Sequence, residues 1–163
     1  MEIVPFEGWS WKTIETAAEE AGHNAALAYA VFPGRLNDAL EGFADWADRQ
    51  MLAELESVHP EDLRIRDRIR TALLARYRLL DAHKDAVRES AQYFMRPRYK
   101  PTGAKLVWRT ADKIWGWAGD VSEDHNRYTK RGLLSGIIVS TTLVWLNDDS
   151  ETMDNTKAFL DRR

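Results

Sequence analysis

Residues 119–131, GDVSEDHNRYTKR, join two strongly apolar helical patterns and decide how the chain is read. Before them, Val107, Ala111, Ile114, Trp115 and Ala118 recur at helical spacing. After them, Leu133 to Leu146 is almost continuously apolar. Gly119 suits a helix end. Ser122 suits a helix start, with Glu123 and Asp124 where the helix dipole favours acids. Counted onward as helix, Asp124, Arg127, Tyr128 and Arg131 share one face. Leu133, Ile137, Thr141 and Val144 share the opposite one. The spacing predicts a polar, aromatic patch outward and an apolar surface inward.

Working outward, strand-like alternation is absent and the helical period recurs nearly throughout. The spacing predicts helices over 11–21, 24–31, 36–58, 63–82 and 84–95. It then predicts a loop at RPRYKPTG, residues 96–103, the two helices around the junction, and a last helix from about Ser150. With no repeat and no linker, residues 1–163 read as a single all-α domain. Its length suffices for a real core. Residues 10–34 have helix-turn-helix spacing, and residues 35–163 form a helical body.

Composition narrows the function. The chain has no cysteine, which excludes disulfides and thiolate chemistry. Leu133–Leu146 is shorter than the ~20 residues a membrane span needs. The start, MEIVPFEGWS, lacks a signal-peptide pattern. Charge is uneven. Residues 1–60 carry 3 basic and 11 acidic groups, net −8; residues 61–100 carry 11 and 6, net +5; residues 101–163 balance at 9 and 9. The middle third is either a solvated helix face or a surface for anionic lipid or an acidic partner. A DNA reader needs Lys, Arg, Asn or Gln on its recognition helix. NAALAYAV, residues 24–31, offers only Asn24 and Tyr29, so no nucleic-acid partner is expected.

No catalytic constellation stands out. Glu20 and His23 have the spacing of a di-iron ligand pair, but Gly22 interrupts them at a helix end. His125 beside Asp124 and near Asp120 fits capping and dipole groups better than a metal site. The chain reads as a non-enzyme, with no metal and no cofactor of its own. A pocket is better supported. Trp108, Ala111, Trp115, Leu133, Ile137 and Trp145 supply apolar walls, and Gly136 and Ser140 supply room beside them. The glycines also fit simple close helix packing, and the pattern leaves both open. An exposed Tyr128 flanked by charges of both signs has the composition of a docking patch; local packing of the same residue is the other reading.

The run ADKIWGWAGDVSEDHNRYTKRGLLSGIIVSTTLVWLNDDSE, followed by FLDRR, resembles the C-terminal half of the ubiquinone (coenzyme Q) biosynthesis accessory proteins, the ninth Coq protein. The Ala118-Gly119-Asp120, Ser122 to Asp124, Asn126 to Arg131 and Asp149-Ser150 elements carry the resemblance, and VPFEGWSWKTIETAAEEAG near the start adds to it. It implies a TetR-like all-α fold with a vestigial helix-turn-helix that does not bind DNA. It implies an apolar pocket for lipid, expected to hold an isoprenoid quinone precursor, and a homodimer. It implies docking to the di-iron demethoxyubiquinone hydroxylase, the seventh Coq protein, through Ile114, Asp124, Arg127, Tyr128 and Arg131. Many family members have Trp where this sequence has Arg127. The family's first helix and its membrane-binding C-terminal amphipathic helix are not found in these 163 residues. The expected location is cytoplasmic, peripheral to the inner membrane of a bacterium, or the matrix side of the mitochondrial inner membrane in a eukaryote. The other function compatible with this fold is a TetR-type ligand-responsive transcription regulator.

Overall fold

A computed structural model describes residues 8–123 and 125–163. Among the described residues the chain is helical and has no strand. α1 spans Trp11–Glu20, with Ser10 accepting from the Thr13 amide as its N-cap. Gly22, at φ +79°, turns the chain into α2, Ala25–Val31, which Asn24 caps. α3 spans Leu36–Glu54 and α4 Ile65–Leu80. Each ends in a short 3₁₀ turn, at Leu55–Ser57 and Asp81–His83, where helices to 58 and 82 are predicted. α5 spans Lys84–Met95, α6 Lys100–Trp117, α7 His125–Leu146 and α8 Asp154–Leu160. The predicted loop at 96–103 is shorter than expected. α6 begins at Lys100, because Pro101 in the first turn gives up an amide that has no helical partner anyway.

α6 and α7 pack most extensively, and α3 and α4 form the next such pair. The core lies between them. Met51 from α3 and Leu55 from the turn after it, Leu73 and Tyr77 from α4, Ile114 from α6, and Leu134, Ile138 and Trp145 from α7 are all buried. The Tyr77 ring lies 5.2 Å from Trp145, and its hydroxyl bonds to Thr142 and to the Ile138 carbonyl. Burial pushes that phenol up to about 12.

The buried stripe of α7 is Arg131, Leu134, Ile138, Thr141 and Trp145. This corrects the expected inward face. Of Leu133, Ile137, Thr141 and Val144, only Thr141 is fully buried, and Leu133 is 67% exposed. In a run apolar on every side, the period cannot choose a face, so the partners do. No helix of the described residues is long and apolar enough to cross a membrane.

The two faces of α7 differ in what they contribute. Trp145→Ala removes a fully buried ring and should cost about 3–5 kcal/mol in urea-unfolding free energy. Leu133→Ala, in the isolated protomer, should stay within about 0.5 kcal/mol.

Candidate docking face and the ion network behind it

The junction is built from the end of α6. Asp120 N bonds to Trp115 O at 3.0 Å and Gly119 N to Gly116 O at 3.1 Å, a paired closure that needs the left-handed Gly119, φ +83°. Arg68 of α4 donates to the helix-end carbonyl, Ala118 O, at 2.6 Å. The turn thereby swings the Asp120 carboxylate under the start of α7.

Asp120 is almost fully buried and fully occupied. Oδ1 accepts from Lys130 Nζ at 2.7 Å and from the Ser122 hydroxyl at 2.8 Å, and Oδ2 accepts from Arg131 Nη1 at 3.0 Å. Burial pushes this carboxyl up, but the bonds from Lys130, Ser122 and Arg131 outweigh it and hold it well below the usual carboxylate range. Arg131 also binds Asp112 of α6, which Arg127 reaches at 3.5 Å. Burial alone would lower the Arg131 pKa; Asp112 and Asp120 reverse that and raise it. Trp115 Nε1 donates to Lys130 O, and the Lys130 ammonium lies 5.4 Å from the Trp115 ring. An open cleft of about 250 Å³ lies above this network, lined by Asp112, Gly116, Asp120, Val121, Ser122, Glu123, Arg127 and Arg131.

The structure divides the five expected docking residues. Tyr128 is 63% exposed and Arg127 is exposed beside it. Tyr128 lies 6.3 Å from Trp108, itself part-exposed. Arg131 is 4% exposed, so the expected outward position is corrected. It heads the core stripe because two carboxylates wait for it on α6 and its turn. Ile114 is fully buried in the core and cannot face a partner. Asp124 lies outside the described residues. Exposed Val121 joins Tyr128 at the surface, a loop residue that helical periodicity could not place.

The eight expected lipid-pocket residues do not wall one enclosed channel. Ala111 and Trp145 are sealed in the core, and Trp115 and Ile137 are half-buried. Trp108, Leu133 and Gly136 are exposed, and Ser140 is half-buried beside them. Gly136 has nothing within 4 Å of where a Cβ would stand. An apolar cleft of about 230 Å³ lies elsewhere, between α1 and α2, bounded by Ile14, Ala17, Leu27, Val31 and Phe32.

Two clusters escaped the sequence. Asp148 is the buried acid after α7. It accepts from Ser150, Asn155 and Thr156, and so ties α7 to the start of α8. Burial pushes its carboxyl up, and the Ser150 and Thr156 bonds bring it well below the usual range. Asp48 of α3 is fully buried, paired with Arg76 of α4 and with Thr110 and Lys113 of α6. Spacing alone reveals neither, because each partner lies on another helix or across a turn. Among the described residues no group of three His, Asp or Glu is placed to hold a metal.

By fold this is a TetR-like all-α protein. It superposes on a TetR transcriptional regulator from Nitrosomonas europaea with a TM-score of 0.75, covering 99% of this chain and 88% of that one at 21% identity, which speaks for the fold alone. By sequence it is similar to the COQ9 proteins. Residues 100–163, which contain the whole network, match the COQ9 family. The chain aligns over its full length with proteins named ubiquinone biosynthesis protein COQ9, mitochondrial: 29% identical to that of Rattus norvegicus and 27% to that of Homo sapiens. It is 30% identical to COQ9-B of Xenopus laevis. It spans about half the length of these relatives, 54%, 53% and 58% respectively.

Two variants separate the network from the surface. Arg131→Met strips a buried pair of one partner and should cost about 3 kcal/mol of stability. Tyr128→Ala should cost less than about 1 kcal/mol, the share of its loose ring contact with Trp108. Acid should act through the two depressed carboxyls. Their stabilisation is complete above the unfolded pKa of ~4 and is lost as pH falls through the lower folded values. Asp148→Asn should therefore lower the urea midpoint at neutral pH and flatten its decline below pH ~4.

Proposed function

We propose that this chain is a lipid-binding accessory protein of ubiquinone biosynthesis. It binds an isoprenoid quinone precursor and presents it to the di-iron demethoxyubiquinone hydroxylase, adding no catalysis of its own. The observation that carries this is the likeness, over the whole of this chain, to proteins named for ubiquinone biosynthesis, with the family match falling on the junction and its flanking helices. The physical task is transfer. A polyprenyl tail leaving a bilayer for apolar side chains exchanges one apolar environment for another, at little net cost.

Trp108, Leu133 and Ile137 offer apolar surface reachable from outside; Ala111 and Trp145 are reached only if the interior opens. The hydroxylase docks at Val121, Arg127 and Tyr128, an exposed aromatic with charges around it. The open face of α7, with Leu133, Gly136, Ser140 and Leu143, suits a second copy of the chain, since small residues let two helices approach closely. The protein works at the inner membrane, from the cytoplasmic side in a bacterium or the matrix side in a mitochondrion. The regulator reading is disfavoured by α2, which exposes Leu27, Tyr29 and Val31 and carries no cation.

Organic extraction of the purified protein followed by mass spectrometry should recover an isoprenoid quinone or precursor, and Trp108→Ala with Ile137→Ala should lower the yield. Extracts with no isoprenoid above the buffer control would overturn lipid binding. Tyr128→Ala should weaken capture of the hydroxylase by about 2 kcal/mol, roughly 30-fold in Kd. Undiminished capture would overturn the docking face.

A further inference from the structure

The surplus positive charge of the middle third is not spread over a helix face. On α4 it is largely consumed internally: Arg70 pairs with Asp161, Arg76 with Asp48 and Arg78 with Glu54. Arg66, Arg68 and Arg88 bond to backbone carbonyls, and the cations held by neither an acid nor a carbonyl gather at one place. Between Glu89 and Asp112 the chain has 22 residues without an acid, residues 90–111. Arg96, Arg98, Lys100 and Lys105 lie in this stretch, at the turn from α5 to α6 and on the first turns of α6. No carboxylate of the described residues lies within ion-pair distance of any of them.

The turn is closed by its own hydrogen bonds and carries aromatic and apolar groups among the cations. Tyr99 N and Lys100 N both close onto Arg96 O, at 2.9 and 3.1 Å. Gly103 lets α5 come so close that a Cβ there would stand 2.8 Å from Phe94 Cβ. Tyr93 and Tyr99 stack at 4.3 Å. The Arg96 guanidinium lies 5.6 Å from the Tyr93 ring and that of Arg98 5.7 Å from Tyr99. At the apex Met95, a large apolar side chain, is 69% exposed.

We propose that this tip, Tyr93 to Lys105, is a membrane-contact site for an anionic bilayer surface. An acidic protein would neutralise the cations but gives no reason for Met95 to project among them. A bilayer supplies both demands at successive depths: anionic headgroups for Arg and Lys, the interface for the amphipathic tyrosines, and hydrocarbon edge for Met95. The tip stands at the first residue of α6 and the junction follows its last, 18 residues or roughly 27 Å away. This goes beyond the proposed role in ubiquinone biosynthesis and stands on the tip alone, so extracted lipid tests one and vesicle binding the other.

The test is co-sedimentation of the full chain with vesicles of phosphatidylcholine, with or without roughly one-third phosphatidylglycerol, at ~50 and ~300 mM salt. Binding should be at least ~10-fold stronger to the anionic vesicles and should fall at the higher salt. Arg98→Glu should weaken it severalfold, and Arg96→Glu, Arg98→Glu and Lys100→Glu together at least ~10-fold. Arg64→Glu, an equal charge change on an exposed residue outside the tip, should leave most of the binding. Met95→Ser should weaken binding while leaving its salt dependence unchanged. All these side chains are exposed, and a melting curve for each variant should match the parent. Equal binding to both vesicle types, an undiminished triple variant, or Arg64→Glu as damaging as Arg98→Glu would overturn the site. So would poly-glutamate capture with no effect of Met95→Ser, which would assign the tip to an acidic protein.

Discussion

A buried guanidinium organises the C-terminal half. Arg131 is the first residue of the α7 core stripe, and its charge is met by Asp112 on α6 and Asp120 on the turn after it. Such a pair adds little net stability over an apolar one, because desolvation offsets the attraction. What it contributes is selection. Slide α7 by one residue and Arg131 leaves both carboxylates, with an unpaired charge in the interior. Only one alignment of α6 and α7 is therefore allowed, and the Trp115 bond to Lys130 O fits that alignment alone. The presentation of Tyr128 and Arg127 at the surface follows from it, since both stand within one turn of Arg131.

The other polar cluster fixes the remaining body in the same manner. Asp48 joins α3 to α4 through Arg76 and to α6 through Thr110 and Lys113. With Tyr77 bonded to α7, every long helix of the body carries at least one buried polar contact to another. Apolar packing supplies the driving force, and these few directional bonds choose among packings that burial alone would rank as equal.

This also explains what was legible beforehand. Helix positions were, because the 3.6-residue period is local, and Ser10, Gly22, Asn24 and Gly119 mark ends that need no tertiary information. Tyr128 as an exposed residue was legible too, because polar neighbours surround it. The direction of Arg131 was not: a cation on a polar helix start faces solvent unless acids on another element receive it. Nor was the orientation of residues 133–146, which are apolar on every side, so that the choice of buried face belongs to Ile114, Tyr77 and Met51. The candidate pocket failed as one channel for the same reason. Its members were gathered by size and polarity, and the fold sends Trp145 inward and Leu133 outward.

The short α8 has a consequence for how the molecule breathes. Seven residues are too few for a helix that stands by itself in water. α8 persists because Asp148 holds the Thr156 amide and hydroxyl, and because Thr156 and Leu160 are buried. Its backbone amides thus have no opening equilibrium separate from that acid. In hydrogen–deuterium exchange the segment from Asp148 to Leu160 should therefore open as one cooperative unit, with Asp148 as the clasp that sets its lifetime.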